Sequence, residues 1–107
     1  MPPGVKNLYA NIPDKIPEEI FEDILRSDKF RIERIISKGH KSPEGFWYDQ
    51  DENEFVLLLR GEAKLGFEDG SIADLKEGDY LVIPAHLKHR VESTSEETET
   101  IWLAIFY

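Results

Sequence analysis

"GDYLVIPAHLKH", residues 78 to 89, packs a turn, a strand and a stop into one short stretch. Gly78 and Asp79 close the turn that begins at Lys76-Glu77. Tyr80 to Ile83 is a four-residue apolar run suited to a β-strand. Pro84 ends that run, since it has no backbone N–H to give to a ladder. His89 then stands five positions beyond Pro84, where "HRVES" resumes strand character.

Working outward, the same texture continues on both sides. "EAKLGFE" alternates Ala63, Leu65 and Phe67 with Glu62, Lys64 and Glu68, the mark of a half-buried strand. Asp69-Gly70 supplies a hairpin turn and "SIADL" returns from it. Further upstream lies "GFWYDQDENEFVLLLRG", residues 45 to 61, in which "FWYDQ" predicts a short strand and "EFVLLLR" a longer one. "FRIERIIS" before it and "TETIWLAIFY" at the end complete eight short strands. The stretch from Ser93 to Glu99 reads as an exposed acidic loop. Closely spaced strands of this kind point to an antiparallel sandwich or barrel, an all-β fold.

The N-terminal part reads differently. Its first ten residues form an extended arm, and "DKIPEEIFEDILRSD", residues 14 to 28, predicts the one short helix. Pro17 suits a first turn, Glu18 and Glu19 complement the helix dipole, and Ile20, Phe21, Ile24 and Leu25 recur at helical spacing. The expected organisation is an arm and helix over residues 1–29, packed on a barrel over residues 30–107.

Composition narrows the partners. The 107 residues suffice for one domain with one core. A formal charge of −9 excludes nucleic acid and anionic membrane surfaces as natural partners. With no cysteine, neither a disulfide framework nor a thiolate metal site is available. The start of the sequence lacks the apolar core of a signal peptide and no apolar run reaches spanning length, so the expectation is a cytoplasmic protein. "FVLLL" and "IWLAIFY" are apolar on both faces. One face can fill a barrel while the other calls for a cover, which predicts a homodimer.

Two stretches carry a family resemblance. Glu54, six residues and Gly61 resemble the end of the first cupin motif. Gly78-Asp79, the strand, Pro84 and His89 resemble the second. The resemblance implies a double-stranded β-helix, or jelly-roll barrel. It also implies a divalent metal ion (iron, manganese, nickel or zinc) held by two histidines and a glutamate from the first motif and a histidine from the second. Carried over by position, the glutamate is Glu54 and the last histidine is His89. The paired histidines fall on Tyr48 and Gln50, or on Trp47 and Asp49 if the spacing is one residue longer, so this chain has neither.

Residue chemistry says what the replacements offer. Tyr48, Gln50 and Glu54 share parity and so share one face of a strand pair. A buried Glu54 calls for a cation or a histidine. The candidate metal ligands are thus Gln50, Glu54, His89 and Asp49, with Glu54 also the candidate catalytic base. Trp47, Tyr48, His86 and His40 are the candidates for ligand contact. Asp51, Glu52 and Asn53 read as a solvated turn, and Arg60, sharing the parity of Glu54, either as a partner for a carboxylate or as an exposed strand end. Two functions of different class follow from the resemblance. One is a metal-dependent enzyme on a small oxygen-rich substrate, of dioxygenase, isomerase, decarboxylase or lyase type. The other is a metal-free module that binds a small ligand.

Overall fold

The computed structural model describes residues 2–107. It contains eight strands: β1 (Ile20–Arg26), β2 (Arg31–Ser37), β3 (Glu54–Arg60), β4 (Glu62–Phe67), β5 (Ile72–Lys76), β6 (Tyr80–Ile83), β7 (His89–Thr94) and β8 (Thr100–Phe106). All pairings are antiparallel. Five strands form one sheet in the order β1-β2-β8-β3-β6, and three form a second in the order β5-β4-β7. Their facing sides meet in one core, with Val56 and Leu58 from the large sheet against Ala63, Leu65, Leu75 and Val91 from the small one, and Trp102 among them.

The predicted helix is a strand. Residues 20–26 pair with β2 along the edge of the large sheet, and no helix is present among the described residues. The apolar spacing that suggests a helix has a different cause. A bulge between Asp23 and Leu25 shifts the register, so Ile20, Glu22 and Leu25 share one face and the period-two alternation is broken. Pairing also satisfies the backbone of this segment, and the Arg34 guanidinium bonds Glu22 at 2.6 and 2.8 Å across the pair. The strand therefore belongs to the barrel, not to an appended helix on its surface. The opposite error occurs at "FWYDQ", which is irregular except for a bridge between Tyr48 and His89.

The arm before β1 docks on the large sheet. Arg34, itself buried, donates to the carbonyls of Leu8 (3.0 Å) and Ala10 (2.6 Å). The Tyr9 ring lies 4.8 Å from the Arg60 guanidinium carbon. The contact, after a register shift between Leu58 and Arg60, gives Arg60 an aromatic partner in place of either a carboxylate or open solvent.

Gly61 fixes the tight β3–β4 corner. Its φ is +92°, and a Cβ there would meet the Thr100 hydroxyl oxygen at 2.5 Å and the Thr100 Cα at 2.8 Å. The corner keeps β3 continuous with β4, so the chain crosses from the large sheet to the small one without a loop. No helix is long and apolar enough to cross a membrane among the described residues.

Candidate functional site

The site forms where the start of β3 meets the start of β7. Glu54 opens β3 on the inward face and sits between Ile83 of β6 and Phe106 of β8 in the sheet register. A carboxyl group there has apolar neighbours on both flanks and is only 8% exposed. Polar partners come from the other side. The Gln50 side-chain nitrogen donates to Glu54 Oε1 at 3.1 Å, and His89 Nε2 lies 3.5 Å from the same oxygen.

His89 is positioned by backbone. It exchanges two hydrogen bonds with Tyr48 (2.7 and 3.1 Å), and the two rings stack at 5.4 Å with an interplanar angle of 23°. Its Nδ1–H donates to the Leu87 carbonyl at 2.9 Å, because a carbonyl can only accept. That fixes the ring and leaves Nε2 directed at Glu54. Burial acts to lower the His89 pKa, but the hydrogen bonds to Glu54 and to the Leu87 carbonyl, with the nearby Glu54 charge, raise it overall. The Tyr48 phenol is pushed up first by burial, then by the charges of Glu19 and Glu54.

These groups edge a cavity of about 70 Å³ whose remaining wall is almost wholly apolar, including Ile35, Val56, Leu65, Val91 and Trp102. The volume admits several waters or a ligand of a few heavy atoms. Of the candidates drawn from the sequence, Tyr48, Gln50, Glu54 and His89 are brought together here. The other four lie elsewhere. Asp49 is exposed and accepts a 2.8 Å bond from His86 Nδ1. His86 stands on the rim with φ +66°, a backbone that turns its ring outward toward Asp49 and Asp51. His40 is held in its loop, accepting from the Lys38 N–H and donating to the Pro17 carbonyl. Trp47 is half-buried but does not line the cavity, since Tyr48 takes the inward place.

The turn residues are more than solvated. Asn53 exchanges backbone bonds with Tyr107 and accepts from the Ala85 N–H, while Glu52 pairs with Arg31. Together they brace the strand end that carries Glu54. Glu19 is the cavity residue that sequence reasoning missed. Its place after Pro17 suggests a helix dipole, whereas the strand pairing of Ile20 with Ile36 brings it to the cavity wall and within reach of the Ser37 hydroxyl.

A resident metal centre needs three or more protein donors converging on one point. Here Glu54 and His89 converge, Gln50 presents its amide N–H to the carboxylate, and Asp49 is turned away to His86. No group of three or more His, Asp or Glu side chains able to hold an ion is gathered among the described residues. The donors present therefore do not fit the metal centre that the sequence resemblance implies. The arrangement suits binding and proton exchange at a buried carboxyl–imidazole pair.

The fold and motifs agree with comparisons to known proteins. No curated protein matches the chain significantly. Among solved structures, a proposed mannose-6-phosphate isomerase from Ralstonia eutropha JMP134 is 41% identical, with a TM-score of 0.93 and 97% of each chain covered. A cupin superfamily protein from Desulfitobacterium hafniense DCB-2 is 22% identical (TM-score 0.73, covering 89% of this chain and 82% of that one). A cupin with a double-stranded β-helix fold from Methanocaldococcus jannaschii is 15% identical (TM-score 0.69, covering 90% and 85%). The last two share the fold alone. Residues 33–106 match the Cupin domain family, so the chain belongs to the cupins.

Proposed function

We propose that this cupin binds a small organic molecule in its barrel without a resident metal ion, the polar end of the ligand meeting Gln50, Glu54 and His89. One observation carries this reading: the cavity ends on a carboxyl–imidazole pair that is almost fully buried while most of the rest of its wall is apolar. Such a pocket takes a compact molecule by its apolar body and orients it by a few polar groups. The chemistry open to the pair is proton transfer, with Glu54 accepting and the fixed His89 ring holding the proton beside it.

The activity named for the 41% identical protein is not carried over. A sugar phosphate brings about two negative charges. The cavity wall contains two carboxyl groups, Glu19 and Glu54, and no lysine or arginine to receive them. The test is elemental analysis of protein purified without chelator, with thermal-shift screening of small neutral and charged molecules. Little bound metal and a ligand-induced shift that disappears in Glu54→Gln are expected. Stoichiometric iron, manganese, nickel or zinc, lost in a Glu54→Ala/His89→Ala variant, would overturn the reading in favour of a metal-dependent enzyme.

We also propose a homodimer through the outer face of the large sheet. Leu25, Ile32, Ile105, Phe55 and Val82 are successive register partners and make one apolar row across all five strands. Four strand spacings give that row a span of about 19 Å. Leu25 and Val82 at its ends are 52% and 51% exposed. Sedimentation should report a dimer that Phe55→Arg converts to monomer, and a monomeric wild type would remove the proposal.

A further inference from the structure

The N-terminal segment gives the cavity a second carboxylate. Glu19 precedes β1, lines the cavity, and is held there by a chain of hydrogen bonds. The Trp102 indole N–H donates to Ser37 Oγ at 3.2 Å, and the Ser37 hydroxyl donates to Glu19 Oε2 at 2.6 Å. Ser37 is fully buried and Trp102 nearly so, so the anchor is part of the core. The chain leaves Glu19 Oε1 without a protein donor among the described residues. No lysine, arginine or histidine lies within salt-bridge distance of Glu19 among the described residues. Arg31 lies on the inward face of β2, but it is occupied by Glu33, Glu52 and the face of Phe106.

Charge balance in the cavity is therefore one-sided. Two carboxyl groups, Glu19 and Glu54, face one imidazole, so anionic groups outnumber cations even when His89 is protonated. The Tyr48 ring lines the same cavity, and its hydroxyl makes no hydrogen bond to the protein among the described residues. Burial first, and then the charges of Glu19 and Glu54, raise the pKa of this phenol. A half-buried carboxylate held by a core hydrogen-bond chain, yet lacking a cation, is an acceptor waiting for a donor. The apolar wall, with the aromatic rings of Trp102, Phe106 and Tyr48, suits the hydrocarbon part of the same ligand.

We infer that Glu19 is a ligand-binding residue and that it makes the cavity selective for a small organic ammonium ion, a primary amine on a compact apolar body. This rests on the cavity being a small-molecule site, and it adds the chemical class. The net charge of −9 acts in the same direction, raising the concentration of cations at the mouth and lowering that of anions.

Calorimetric titration with three probes of equal length, n-butylammonium, n-butanol and butyrate, tests both statements separately. Wild-type protein should bind the ammonium most tightly, the alcohol more weakly and the carboxylate least. Glu19→Gln should weaken the ammonium about tenfold, the loss of one charge-assisted hydrogen bond, while leaving the alcohol unchanged. Ser37→Ala, which removes the tether and keeps the carboxylate, should weaken the ammonium by a smaller factor. A circular-dichroism melt of each variant establishes that the fold is intact. Equal ammonium binding by wild type and Glu19→Gln overturns the role of Glu19 while the cavity reading stands. Failure of every probe to bind wild type overturns the cavity reading and this inference with it.

Discussion

Two carboxyl–histidine pairs lie a few residues apart in this chain, and they behave as opposites. Asp49 and His86 approach to 2.8 Å on the rim, with side chains 44% and 64% exposed. Glu54 and His89 stand farther apart, at 3.5 Å, with side chains 10% and 6% exposed. The shorter contact is the weaker one. Water screens the rim pair and solvates either partner when the other is gone, whereas the Glu54 carboxyl relies on His89 and Gln50 among the described residues. Burial, more than distance, decides which histidine matters.

The largest effect should come from breaking the inner pair. His89→Ala leaves Glu54 buried with one amide donor, and should cost about 3 kcal/mol in urea unfolding. Replacing both partners with Glu54→Leu/His89→Leu should bring stability back to within about 1 kcal/mol of wild type while abolishing ligand binding. If the double variant were as unstable as the single one, the cost would lie in packing and not in an orphaned charge.

Acidity probes the same pair more gently. His89 has a folded-state pKa above its ordinary value, so the protonated ring stabilises the fold. That contribution is complete below the unfolded value of about 6.5 and is lost as pH rises through the folded pKa. Wild type should therefore lose stability relative to His89→Gln as pH rises above about 6.5. A flat difference across that window would remove the linkage.

The rim pair should give the small effects. Asp49→Asn should change stability by less than about 0.5 kcal/mol, and added salt should shrink even that. His86→Gly should be nearly neutral, within about 0.5 kcal/mol by the same unfolding assay. Relief of the left-handed backbone offsets the lost hydrogen bond to Asp49 and the extra freedom of glycine in the unfolded chain. A loss comparable to that of His89→Ala would mean that the rim is coupled to the core.

The strand run from Glu54 to Ile83 was readable because turn chemistry and alternation agree there. "EFVLLLR" and "YLVI" occupy the residues of β3 and β6 themselves. Glu54, Gln50 and Tyr48 could be grouped by parity before any fold was known, and His89 by its distance from Pro84. What failed did so for local reasons. The bulge in β1 erases the alternation that marks a strand, so the segment carries the spacing of a helix. Glu19 could not be found while its neighbours were assigned to that helix. Asp49 and His86 were placed near the site by sequence, but a positive φ at His86 directs the contact outward, and nothing in a histidine codon announces that backbone.

The hydrogen-bond chain from Trp102 to Glu19 also has an optical consequence. Of the two tryptophans, Trp102 forms part of the cavity wall and is hydrogen-bonded through Ser37 to the Glu19 carboxylate, whereas Trp47 lies outside the cavity. A Trp47→Phe variant would leave a single indole, and its emission would follow occupancy of the barrel directly. The protein carries its own fluorophore in the wall of its cavity.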